Sequence, residues 1–385
     1  MIKPVKVLCI IDSLGYGGAE RLIVSILPHM IENNIQVDVV SLSSDLPLFD
    51  ELKRKNINVM SISPFHRWSV IEIMYKIFNI CRNGDYDVVW GHLYFGNLYS
   101  ALIGRFLPKI KVVWTLHSPR KCSISSNKVW NVIRDYIEVW LGQNLTHSIV
   151  SVSNAVAGDY RSTTSWNKIN VIHNAIDFSV FPVTASYKEI RNMRYKYDIP
   201  YNDFLIVTPG RFSPEKGHKV MVLALLELGD KCSKNISWIA VGGGCKKNIL
   251  DFIQKNKTHC AIKLLDALPH CELLKLVQIS NLVVIPSIRE SFGIAAVEAM
   301  GLSVPVIASD IDGLSEVVTD ATGIKVEVGD STELMNAILL ICSESNRDIN
   351  KTKTIEEIYS SFHGNIKNDI KNAQKEKVII KQDIP

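Results

Sequence analysis

Residues Val5–Leu27 read VKVLCIIDSLGYGGAERLIVSIL. An apolar run of strand length ends at Asp12, and a glycine-rich turn follows. Apolar residues then recur at helical spacing, with Leu22, Ile23, Ile26 and Leu27 on one side. Strand, tight turn and helix in that order form the repeating unit of a parallel α/β sheet. Bare glycine amides at a helix start suit a phosphate. The dinucleotide form of this turn is disfavoured. G-x-G-x-x-G fits Gly15 and Gly17 but finds Glu20 at its third position, and the strand that an acid should close ends VVSLSSD. The turn is therefore a site for some other phosphate, or a tight turn with no ligand.

The same alternation runs outward along the chain. QVDVVSL, INVMSIS, YDVVWGH, KVVWTLH, HSIVSVS and INVIHN are short strands, and SVIEIMYKIFNICRN and NKVWNVIRDYIEVWLG are helices between them. A polar, Tyr- and Lys-rich stretch follows HNAIDFSVF. The pattern then restarts with FLIVTPGRF, ISWIAVGGG, IKLLDAL, NLVVIPS, VPVIASD and GIKVEVG. The expectation is an N-terminal domain over 1–180, a connector over 181–203, a second α/β domain over 204–345, and a Lys-rich helix and tail over 346–385. Ligands in such sheets bind beyond the carboxyl ends of the strands, which places the glycines, His92, His117 and the loops after the second-half strands at a cleft between the domains.

Bulk properties exclude several classes. With 47% hydrophobic and 21% charged residues the chain is globular, not disordered. A net charge of +4 is too small to argue for nucleic acid. No apolar run reaches the roughly 18 residues that a membrane span needs, and VLCII is too short for a signal peptide. A cytoplasmic setting is expected. The eight cysteines form no C-x-x-C pair, so they are expected as reduced thiols.

Three segments carry candidate chemistry. TPGRFSPEKGHK places Arg211 and Lys216 five residues apart in a loop before a helix, where two cations suit a diphosphate. PSIRESFGIAAVEAMG has Glu290 before a helix and Glu298 inside it, with the amides of Phe292, Gly293 and Ile294 at the helix start. Carboxylates beside such amides can accept sugar hydroxyls. His92 and His117 each end a strand and read as hydrogen-bonding or structural residues. No His/Cys/Asp cluster has metal-ligand spacing. Asp85/Asp87 and Asp310/Asp312 are D-x-D pairs, but each fits a strand boundary. Residues 105–134 hold seven Lys or Arg and no acid, with Phe106, Trp114 and Trp130 interleaved. Such a face suits an anionic membrane, and it equally fits core aromatics with solvated cations.

In order, GGAE, SVSN, HNAID, GRFSPEKG, VGGG and PSIRESFGIAAVEAMGLSVPVIAS resemble the retaining glycosyltransferases of family four, the group 1 transferases, over about residues 5 to 330. The resemblance implies the GT-B fold, two Rossmann-like domains whose parallel sheets face an interdomain cleft. It implies transfer of a hexose from a UDP- or GDP-sugar to a glycan or polyprenyl-diphosphate-linked glycan, in a setting such as O-antigen or capsule synthesis, with no metal; on the membrane reading of the basic face the enzyme would be peripheral on the inner membrane face. Arg211 and Lys216 would neutralise the departing diphosphate. Glu298 would hold the ribose, and Glu290 the transferred sugar beside the amides of Phe292, Gly293 and Ile294. His117 would stand near the reacting centre. Gly17 and Gly18 would let the first helix approach the donor phosphates or the acceptor, and Gly210 would be donor-binding. Two positions depart from the family pattern: Asp266 and Asp312 stand where glycine is usual. A nucleotide-sugar epimerase on the same fold, or a non-catalytic sugar-nucleotide-binding protein, would share much of this pattern. The first converts donor without acceptor, and the second binds donor without turnover.

Overall fold

A computed structural model describes residues 4–44, 46–62, 69–120, 128–182, 185–256, 258 and 260–344, the side chains of 128–130, 230 and 344 excepted. The tail expected over 346–385 lies outside the described residues. The chain divides into two units, the first ending at Asp177 and the second beginning at Phe178.

The first unit holds β1 (Val5–Ile11), α1 (Gly18–Glu32), β2 (Ile35–Ser41), α2 (Phe49–Arg54), β3 (Asn58–Ser61), α3 (Val70–Gly84) and β4 (Val88–His92). Then come α4 (Leu93–Phe106), β5 (Lys111–Leu116), α5 (Lys128–Leu145), β6 (Ser148–Ser151), α6 (Asn154–Thr163) and β7 (Ile169–Val171). Its sheet runs β3-β2-β1-β4-β5-β6-β7, and every pairing is parallel.

β1 shows why the sheet must be covered on both faces. Val7, Cys9 and Ile11 pack with Ile23, Val24 and Leu27 of α1 and with Leu52 of α2. The alternate residues Leu8 and Ile10 pack on the other face with Ile73, Ile77 and Cys81 of α3 and with Tyr99 and Ile103 of α4. Each fully buried Leu or Ile contributes about 1.5–3 kcal/mol. Within α1, Val24 takes the buried position that spacing assigned to Ile26, which is only partly buried.

The second unit holds α7 (Tyr187–Lys196), β8 (Phe204–Pro209), α8 (His218–Leu228), β9 (Ile236–Val241), α9 (Lys247–Lys255) and β10 (Ala261–Leu265). It continues with α10 (His270–Gln278), β11 (Leu282–Ile285), α11 (Ile294–Gly301), β12 (Val306–Ser309), α12 (Asp312–Val317), β13 (Ile324–Val326) and α13 (Ser331–Glu344). Its parallel sheet runs β10-β9-β8-β11-β12-β13. The stretch expected as a connector contains α7, which opens with a reciprocal capping box between Ser186 and Glu189. That segment belongs to the second unit: Arg194 donates to the carbonyls of Pro200 (2.8 Å) and Asp203 (3.1 Å).

Both loops that matter in this unit leave neighbouring strands. The carbonyl of Glu215, after β8, accepts the amides of Ile288 (2.8 Å) and Arg289 (3.3 Å), after β11. Gly217 has φ +65°, and a Cβ there would lie 1.7 Å from the carbonyl oxygen of Pro286. Only glycine meets both demands. Gly217→Ala is expected to destabilise the protein by at least about 2 kcal/mol, read as a lower urea midpoint. An unchanged midpoint would show that the two loops do not constrain each other.

Candidate functional sites in the two units

In the first unit the loop after β1 meets the start of α4. The Asp12 carboxylate accepts the amides of Gly96 (2.8 Å) and Phe95 (3.3 Å). Burial pushes the Asp12 carboxyl up to about 6, against the two amides and with Glu20 adding to the rise. Gly17 caps α1 with an ordinary extended backbone, so its φ does not call for glycine. Space does: a Cβ there would sit 2.2 Å from Oε2 of Glu20. The Glu20 side chain folds back over Gly17, beside Gly18, and accepts from Ser13 Oγ at 3.0 Å. The glycine turn thus faces a carboxylate of its own chain. That arrangement suits hydroxyl groups better than phosphate.

His92 ends β4 and His117 directly follows the adjacent β5, and their rings meet at 2.9 Å between Nδ1 of His92 and Nε2 of His117. Burial holds both neutral, His117 down to about 4 and His92 well below its usual value, where the neighbouring ring adds to the effect. One ring therefore donates to the other. Nδ1 of His117 is the nitrogen this contact leaves over. Trp90 fixes His92 from the side, with ring centroids 4.2 Å apart.

In the second unit, Lys216 and Glu290 form a direct ion pair, Nζ to Oε2 at 2.7 Å, and Ser287 Oγ lies 3.5 Å from the same oxygen. The two residues are 74 positions apart in sequence and both side chains are mostly buried. Arg211 does not converge with Lys216 on one point. It extends from the loop, 67% exposed, towards Glu215 at 3.4 Å. Gly210, Arg211 and Phe212 run beside the VGGG segment. The Phe212 amide donates to Gly243 (2.7 Å), and a Cβ on Gly242 would strike the Gly210 carbonyl at 2.0 Å.

Gly293 begins α11 at φ +91°, with no side-chain cap. Phe292, Gly293 and Ile294 therefore bring a helix N-terminus beside Glu290. Gly313 of α12 closes against this loop, its amide donating to the Glu290 carbonyl at 3.2 Å. Glu298 lies inside α11, 6% exposed. Its Oε1 is held at 2.6 Å by Nε2 of His270, the first residue of α10. Sequence reasoning passed over Asp12, His270 and Glu215, because each acts through a partner far away in the chain.

Asp312 has φ +47°, the left-handed region where glycine is at ease and Asp is tolerated. That explains why a family could prefer glycine there. Asp266 is exposed and pairs with Lys246 at 2.7 Å. One residue of each D-x-D pair has a structural partner: Asp87 accepts the Lys6 amide (2.8 Å), and Asp310 pairs with Lys325 (3.4 Å). The aromatics interleaved with cations over 105–134 divide, and Phe106 is exposed. Trp114 is 1% exposed on the interior strand β5, where its indole donates to Ser100 Oγ. Arg134 lies over the Tyr94 ring at 4.6 Å. Lys121 and the side chain of Trp130 lie outside the described residues.

Asp12 makes stability depend on pH in a defined direction. Its carboxyl titrates near 4 unfolded and at about 6 folded. Between those values the folded state keeps a proton that the unfolded state has lost, so stability falls as pH rises, by roughly 2–3 kcal/mol. Asp12→Asn removes the effect. The melting temperature of the variant relative to the parent is expected to climb between pH 4 and 6 and then level off. A constant difference across that range would refute the assignment.

Two family models match the chain: "Glycosyltransferase Family 4" over residues 16–180 and "Glycosyl transferases group 1" over residues 189–357. Among curated proteins, an uncharacterized glycosyltransferase of Methanocaldococcus jannaschii is 25% identical over 301 residues, 75% of each chain. The D-inositol 3-phosphate glycosyltransferase of Corynebacterium glutamicum is 24% identical, covering 81% of this chain and 80% of its own. Among solved structures, Anabaena HepE in complex with UDP-glucose superposes with a TM-score of 0.74 at 21% identity, over 94% of this chain and 99% of its own. No helix among the described residues is long and apolar enough to cross a membrane. With both sheets and both family models in agreement, the chain belongs to the GT-B glycosyltransferases of family four, group 1.

Proposed function

We propose that the chain transfers a hexose from a UDP- or GDP-sugar to a glycan or polyprenyl-diphosphate-linked glycan, with retention of anomeric configuration. The observation that carries this is the Lys216–Glu290 pair, 2.7 Å apart beside a helix N-terminus. A cation next to a carboxylate suits the reacting end of a nucleotide sugar. Lys216 meets the diphosphate, Glu290 accepts hydroxyls of the hexose, and the Phe292–Ile294 segment supplies amides. Glu298 accepts the ribose hydroxyls. Arg211 adds a second positive charge for the diphosphate. HepE, which shares the fold, has been crystallised with UDP and with UDP-glucose, and this supports a nucleotide-sugar donor.

In the reaction the bond from the anomeric carbon to the diphosphate oxygen breaks, and the acceptor hydroxyl bonds to that carbon from the same face. Its proton passes to the leaving phosphate. Negative charge grows on the diphosphate as it departs, so a prepositioned Lys216 lowers the barrier. The scheme uses no metal. On the first unit, His117 offers its free ring nitrogen to sugar hydroxyls. Gly17 and Gly18 serve the acceptor, because Glu20 and Asp12 repel phosphate and accept hydroxyls.

Bacterial envelope polysaccharide synthesis at the inner membrane face is the proposed setting, and it rests on the sequence resemblance. The surface of α5 supports a membrane contact. Val132, Ile133, Tyr136, Ile137 and Trp140 are all exposed, at a spacing that puts them on one side of the helix.

Lys216→Met and Glu290→Gln are expected to lower kcat/KM with the best nucleotide sugar by roughly 10²–10³-fold. Wild-type rates in either variant would remove that residue from the site. NMR of the product should show the anomeric configuration of the donor, and an inverted linkage would refute retention. Pelleting with anionic vesicles at low salt should bring the protein down, and Trp140→Ser together with Tyr136→Ser should weaken it. No pelleting would exclude the membrane contact.

A further inference from the structure

We propose that His270 is a positioning residue for the nucleotide: it locks the Glu298 carboxylate in the orientation that receives a vicinal diol. The proposal rests on the reading of Glu298 as the ribose acceptor.

The geometry is specific. His270 opens α10 directly after Pro269, whose carbonyl accepts the amides of Glu272 (2.9 Å) and Leu273 (3.0 Å). The backbone that carries the ring is therefore fixed by the first helical turn. Glu298 sits one turn into α11, so both partners stand on helices. A carboxylate only accepts, so the 2.6 Å contact requires the proton on Nε2 of His270. That bond engages Oε1 and fixes the plane of the carboxylate. Oε2 and the remaining lone pair of Oε1 are left for hydroxyl donors.

Burial makes the contact matter. The Glu298 side chain is only 8% exposed and that of His270 16%. A carboxylate so enclosed is costly to strand without a donor. Removing the imidazole frees the carboxylate to rotate or to seek another partner, and in either case the diol loses a fixed acceptor. Of the other charges on α10, Lys275 is exposed. Glu272 is tied to Lys196 and Tyr197, on the α7 side.

The test is nucleotide binding, measured calorimetrically without turnover. UDP is compared with 2′-deoxy-UDP, and GDP with 2′-deoxy-GDP, so that the pair containing the tighter nucleotide is used. The parent should prefer the ribonucleotide by about tenfold, the value of one hydrogen bond to a charged group. His270→Ala should reduce that preference to near unity, and His270→Gln, which keeps a donor, should restore part of it. The ratio of two affinities is unaffected by the fraction of folded protein. His270→Ala added to Glu298→Ala should cause no further loss. A full preference in His270→Ala, or additive losses in the double variant, overturns the positioning role. If Glu298→Ala leaves both affinity and preference intact, the ribose reading itself fails, and with it the premise of this proposal.

Discussion

In a parallel sheet every strand delivers its outgoing loop to the same edge, and the order of strands decides which loops become neighbours. In the first unit the order reverses between β1 and β4, and in the second between β8 and β11. At these two places loops distant in sequence are brought side by side. The ion pair between Lys216 and Glu290 exists only because β8 lies against β11. The contact of Asp12 with the start of α4 exists only because β1 lies against β4. The placement of these side chains is thus a by-product of strand order, refined by backbone hydrogen bonds that stitch the loops together.

Much of this was legible in the sequence. All thirteen strands among the described residues coincide with apolar runs read from the chain, and the two sheets follow the restart of the pattern after residue 203. A strand buried on both faces has to be continuously apolar, so its signal is strong. The separate cations and carboxylates were visible too, since each stands in a glycine- or proline-shaped loop. Their pairing was not. Spacing in sequence suggested Arg211 with Lys216 and Glu290 with Glu298, while the fold couples Lys216 to Glu290 and His270 to Glu298. A helical pattern carries information over a few residues, whereas these partners are 74 and 28 positions apart. Trp114 misled for a related reason: its neighbours in sequence are basic, but the pleat turns it inward.

Electrostatics follows a common plan in the two units. Three carboxylates are held in orientation by donors: amides for Asp12, a lysine for Glu290, an imidazole for Glu298. The histidine pair of the first unit is kept neutral by burial and so behaves as a directional donor–acceptor couple. Such groups suit hydroxyl partners by geometry, and in the proposed reaction the Lys216–Glu290 pair would meet the diphosphate. Glu20 over Gly17 adds a negative group to a turn whose amides alone would attract anions.

The close approach of Gly217 to Pro286 has an evolutionary corollary. With the β8 and β11 loops bonded carbonyl to amide and no room for even one methyl group, their lengths cannot drift independently. A single inserted residue in either would break both the stitch and the ion pair. Diversification within such a framework is confined to side chains projecting from a fixed backbone; Asp312, at φ +47°, is a side chain carried where the family resemblance expects glycine. At these two loops change is therefore open to side chains and closed to chain length.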